Sequence, residues 1–68
     1  MAAHESLTNR EYEVMLLLAS GNTATQVASQ LGLSVKTVST HRTNILEKLG
    51  VASTAELVLY AVRQGLIH

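Results

Sequence analysis

Sixty-eight residues with no cysteine and no proline allow one small domain and exclude a disulfide framework or a thiolate metal site. A chain this short buries only about 60% of the surface its unfolded form exposes, so packed helices have to hold it unaided. Five basic residues balance five acidic ones, which excludes a uniformly basic nucleic-acid binder, and the longest apolar runs are six residues, far below the roughly 20 that a membrane span needs.

Residues 1–6 show no periodicity and are expected to be a disordered lead-in to a domain spanning 7–68. They carry Glu5 and no basic residue before an apolar stretch, unlike a secretory signal, so a cytoplasmic protein is expected. Thr8 to Glu11 has the form of a capping box, in which the threonine hydroxyl and the glutamate carboxylate satisfy each other's backbone N–H. Val14, Leu17 and Leu18 follow at helical spacing, and Gly21 suits a left-handed cap, predicting a helix over 9–20. Thr23 to Gln26 is a weaker capping box opening a helix over 24–31, which Gly32 ends. Ser34 caps a third helix over 35–49, stopped by Gly50. Ser53 and Glu56 form the last box, for a helix over 54–64 before Gly65. The fold class is therefore all-α, a compact four-helix domain.

The second helix, the tight turn at Gly32 and the longer third helix have the spacing of a helix-turn-helix, in which the later helix enters the DNA major groove. Ala28 is small enough to let two helices cross closely, while Leu33 and Val38 are expected to pack on Val27 and Leu31. At 100° per residue, Val38, Ile45 and Leu49 form one seam of the third helix, with Leu46 to its side. The opposite arc carries Lys36, Thr37, Thr40, Thr43, Asn44 and Glu47, with Lys48 at its margin. Short hydroxyl side chains suit base edges, and cations suit phosphate. Arg42 falls on the core side, either laying its stem along apolar surface or reaching a phosphate. His41 flanks the outward arc, where it could serve phosphate or packing. Charge is polarised along the chain. Lys36, Arg42 and Lys48 face only Glu47 in their segment, whereas Glu5, Glu11 and Glu13 gather near the N-terminus with only Arg10.

No enzyme chemistry is indicated. The carboxylates include no pair spaced to share a site, there is no glycine-rich phosphate loop, and Ser and Thr are explained by caps and surface. His4, His41 and His68 are too far apart in chain and helix phase for a metal site, so no metal or other cofactor is expected. A protein-interaction module on a helix-turn-helix scaffold is the alternative from another class. A promoter binder like region 4 of sigma factors is the alternative among DNA binders.

The sequence resembles the LuxR/NarL/FixJ-type helix-turn-helix domain, the C-terminal effector domain of response regulators and quorum-sensing regulators. The resemblance runs from Leu7 to about Ile67 and rests on Leu7-Thr8-Asn9-Arg10-Glu11, Glu13-Val14, Gly21, Val27-Ala28 and Leu31-Gly32-Leu33-Ser34. It continues through Lys36-Thr37-Val38, His41, Asn44-Ile45-Leu46, Lys48-Leu49-Gly50-Val51 and Gly65-Leu66-Ile67. Lys48-Leu49-Gly50-Val51 and the fourth helix expected after it argue against sigma region 4. The resemblance implies a third helix in the major groove of double-stranded DNA, with base readers at Ser39, Thr40 and Thr43. It implies phosphate contacts from Thr23, Thr37, His41, Asn44 and Lys48, to which the residue pattern adds Lys36 and Arg42. Ala24-Thr25 stands where the family usually has Asn-Lys, and hydroxyl residues stand at reading positions often occupied by Lys or Arg. Both departures imply weaker electrostatic attraction and more reliance on a second subunit.

The resemblance also implies a homodimer through the fourth helix and an N-terminal regulatory domain outside this chain. Independently, Leu57 to Val62 are six consecutive apolar residues that one core-facing stripe cannot hide. Leu57, Val58, Tyr60, Ala61 and Val62 are expected at the dimer interface. Two-fold pairing would set the recognition helices roughly 10 base pairs apart on an inverted repeat.

Overall fold

The computed structural model describes residues 2–67. Met1, in the expected lead-in, and His68, weighed as a metal ligand, lie outside the described residues. Among the described residues there are four α-helices and no strand: α1 (Asn9–Ala19), α2 (Ala24–Leu31), α3 (Val35–Leu49) and α4 (Thr54–Arg63). α2 and α3 have the expected bounds, while α1 and α4 each end one residue earlier than expected.

The caps explain these boundaries. Thr8 Oγ1 accepts from Glu11 N at 3.1 Å, and Thr8 N donates to Glu11 Oε1 at 2.9 Å. The same exchange opens α2 between Thr23 and Gln26. At α4 the expected box is only half formed. Ser53 Oγ accepts from Glu56 N, but the Glu56 carboxylate reaches one residue further back and accepts from Ala52 N at 2.7 Å. Each helix thereby satisfies N–H groups that its first turn leaves without helical partners. Gly32 ends α2 at φ +68°, in the left-handed region where a Cβ is strained, and lets Leu33 N donate back to Ala28 O at 2.9 Å. That reversal turns the chain directly into the Ser34 cap of α3.

α1, like α3, is in contact with each of the other three helices. Its Val14, Met15, Leu18 and Ala19 join Val27 and Ala28 of α2, Val38, Ile45 and Leu49 of α3, and Leu57 and Ala61 of α4 in one core. The seam expected on α3 is thus the buried one. Leu31, Leu33 and Leu46 pack partly buried around it.

The expectation of a disordered lead-in needs correction. Ala3–Ser6 form a 3-10 turn that packs against α3. His4 N donates to the Tyr60 hydroxyl of α4 at 2.9 Å, and His4 Nδ1 lies 3.1 Å from the same oxygen. A short segment lacking periodicity is held here by α3 and by a distant phenol, contacts that local pattern does not encode. No described helix is long and apolar enough to cross a membrane.

Candidate nucleic-acid interface

The outward side of α3 follows from what its inward side buries. With Val38 and Ile45 fully buried, the 100° rotation per residue brings Lys36, Thr40, Thr43 and Glu47 into one exposed line along the helix, with Ser39 and Asn44 exposed on its flanks. The expected base readers Ser39, Thr40 and Thr43 therefore share one solvent-facing surface, and Lys36, Thr37 and Asn44 border it.

Hydroxyl orientations on this surface are specific. Thr40 Oγ1 donates to the Lys36 carbonyl and Thr43 Oγ1 to the Ser39 carbonyl, both at 3.1 Å. At the start of α3, Ser34 Oγ accepts from Thr37 N at 3.0 Å and donates to Thr37 Oγ1 at 2.8 Å. Thr37 consequently keeps its own hydroxyl proton for an outside acceptor. Thr23 is exposed at the start of α2, its Oγ1 accepting from Gln26 N, which likewise leaves its proton free. Helix N-termini with spare donors are suited to anions.

The cations divide differently from the expectation. Lys36 is exposed. Arg42 is half-buried on the core side of α3, where its Nε donates to Thr54 Oγ1 at 2.9 Å. It thus ties α3 to the first residue of α4, and its stem lies along the domain. His41 is half-buried at the edge of the outward arc. Lys48 has a partner that sequence reasoning missed: its Nζ lies 2.7 Å from Glu11 Oε1, joining α3 to α1. The Glu11 side chain is only 6% exposed against 38% for Lys48, so the carboxylate is the buried member. The hydrogen bond from Lys48 holds the Glu11 carboxyl below its ordinary value, helped by the Thr8 backbone N–H and opposed by desolvation. A capping glutamate was legible in the sequence, but its second role required knowing which lysine stands over it.

α4 requires the largest correction. Leu57 and Ala61, expected at a dimer interface, are fully buried in the chain's own core and cannot meet a partner. Tyr60 is half-buried with its hydroxyl engaged by the N-terminal turn. Val58 is half-buried, and the exposed large apolar residues of α4 are Val62 at 48% and Leu59 at 53%. Leu59 was left out of the expected interface although it is the more exposed of the two.

The sequence pattern of bacterial regulatory proteins of the luxR family matches residues 5–61. The chain belongs to the LuxR family. It is accordingly a helix-turn-helix domain of the DNA-binding, transcription-regulating kind. It is 45% identical over 65 residues to the transcriptional regulatory protein LiaR of Bacillus subtilis strain 168, covering 96% of this chain and 31% of that protein. It is 48% identical over 64 residues to the response regulatory protein YgeK of Escherichia coli K12, covering 94% of this chain and 44% of that protein. It is also 44% identical over 65 residues to the response regulator VraR of Staphylococcus aureus Mu3, covering 96% of this chain and 31% of VraR. The chain thus spans 31–44% of the length of these relatives.

Proposed function

We propose that this LuxR-family domain binds double-stranded DNA sequence-specifically, with α3 in the major groove, as the output module of a response regulator. The observation that carries this reading is the exposed line of Lys36, Thr40 and Thr43 on a helix whose other side buries Val38, Ile45 and Leu49 in the core. Ser39, Thr40 and Thr43 read base edges. Thr23, Thr37 and Asn44 position the backbone, with Lys36, Arg42 and His41 supplying or bordering the positive charge. Lys48 is left out of the phosphate set because its ammonium is committed to Glu11. The relatives' greater length supports a further regulatory domain in the whole protein.

Two copies pair through the outward face of α4, with Leu59 and Val62 at the contact and Val58 beside them. Exposed apolar side chains on one helix face are what a helix-to-helix contact covers. With few free cations per protomer, pairing also compensates for weak attraction by each copy alone.

Selection of binding sites from random duplexes tests this reading. The expected outcome is an inverted repeat with half-sites roughly 10 base pairs apart. Binding should weaken with salt at a log–log slope of about −2 per protomer, the contribution of Lys36 and Arg42 by counterion release. Recovery of unrelated sequences, with no duplex competing better than another, would overturn it in favour of a protein-interaction module.

A further inference from the structure

A carbonyl oxygen carries no proton, so the short contacts from Thr40 Oγ1 to the Lys36 carbonyl and from Thr43 Oγ1 to the Ser39 carbonyl must each use the threonine's own hydroxyl proton. What each oxygen has left to offer outward is lone pairs. Both side chains are exposed, and the other group on each Cβ is a methyl. At the centre of the outward line, α3 therefore presents acceptors and methyl groups. Glu47, exposed one turn further on, is acceptor-only as well. The cations that could change this are elsewhere, Arg42 on Thr54 and Lys48 on Glu11, leaving Lys36 one turn before Thr40.

This chemistry distinguishes base pairs. In the major groove guanine shows two acceptors, N7 and O6, which an acceptor-only surface opposes and which cationic readers normally engage. An A·T pair shows the adenine N6 amino donor and the thymine C5 methyl together. A G·C pair has the cytosine amino donor but no methyl. Resting on the DNA-binding reading above, we infer that Thr40 and Thr43 are specificity-determining residues that select A·T pairs, accepting from adenine N6 through Oγ1 and packing their methyls on thymine.

The test starts from the site selected with the wild-type chain, the pairs read by these residues being those whose preference disappears in selections with Thr40→Ala and Thr43→Ala. At those pairs, deoxyuridine in place of thymidine removes only the methyl, and deoxynebularine in place of deoxyadenosine removes the amino group. Uracil is expected to weaken binding about fourfold per methyl lost, and loss of the amino group about tenfold. Thr→Ser at both positions keeps the hydroxyl and should abolish the response to uracil alone. Thr→Val keeps methyl groups and should abolish the response to the missing amino group alone. The thermal midpoint serves as the control for folding and should not change. A selected site with G·C at these pairs overturns the inference and leaves the DNA-binding reading standing, as does indifference to both base analogues. Selection that enriches no sequence overturns both.

Discussion

α3 and α4 are neighbouring amphipathic helices, yet they dispose of their outward faces in opposite ways. α3 buries Val38, Ile45 and Leu49 and shows solvent a line of ammonium, hydroxyl and carboxylate groups. α4 buries Leu57 and Ala61 and still shows Leu59 and Val62. Neither outward face stabilises the isolated domain, since neither packs against it. The difference teaches what kind of surface each is suited to meet: a polar, hydrated one for α3, such as a DNA groove, and an apolar one for α4, such as a second copy.

The sharpest way to break that contrast is to compare inward with outward positions on each helix. Ile45→Ala and Leu57→Ala should each lose about 2–5 kcal/mol in urea unfolding, through lost burial and the cavity left behind. Thr43→Ala and Leu59→Ala should stay within about 0.5 kcal/mol of the parent. A Leu59 variant as costly as the Leu57 one would erase the distinction between the two sides of α4. Charging the outward side tests its purpose: Leu59→Asp should leave the melting temperature unchanged but weaken binding to a two-half-site duplex by about 100-fold, while single half-site binding persists. Sedimentation of the complex would show the stoichiometry, and two protomers still bound together would count against pairing through α4.

Two smaller effects concern how α3 and α4 are tied to the rest. Lys48→Ala should cost about 2 kcal/mol of stability, because it strips a charged hydrogen bond from the nearly buried Glu11. The pH dependence has a definite sign. Glu11 is held below its ordinary value of 4.5 in the folded chain, so its contribution is fully present above that value. It is lost as pH falls through the lower folded value, where the carboxylate takes up a proton. Acid unfolding curves of the parent should therefore drop more steeply below pH 4.5 than those of Lys48→Ala, and coincident slopes would remove the pair from the account. Tyr60→Phe, which deletes the hydroxyl that receives His4 N, should cost about 1 kcal/mol. It should also expose the N-terminal turn to proteolysis, and unchanged cleavage would show that the turn is held by other contacts.

Local chemistry made most of the fold legible. Thr8, Thr23, Ser34 and Ser53 stand where helix N-caps are needed, and the following glycines take positive φ. Caps and turns involve residues within a few positions of each other, so adjacency in the chain already contains their geometry. The α3 face was legible for a related reason: its polar and apolar residues separate cleanly on the wheel, leaving a single phase in which the seam can be buried. α4 was not. In an unbroken apolar run every phase looks equally fit for the core, and only the position of α1 against Leu57 and Ala61 selects one.

By itself, then, the order of residues determined which segments are helical, where they start and stop, and that α3 carries a polar side, because those outcomes depend on contacts within one or two turns. Tertiary structure alone decided that Lys48 serves Glu11, that Arg42 serves Thr54, that the N-terminal turn is held by Tyr60, and that Leu59 rather than Leu57 faces outward. Each of these joins groups brought together only when the helices pack, or is set by the phase in which a helix packs, so no local pattern specifies it.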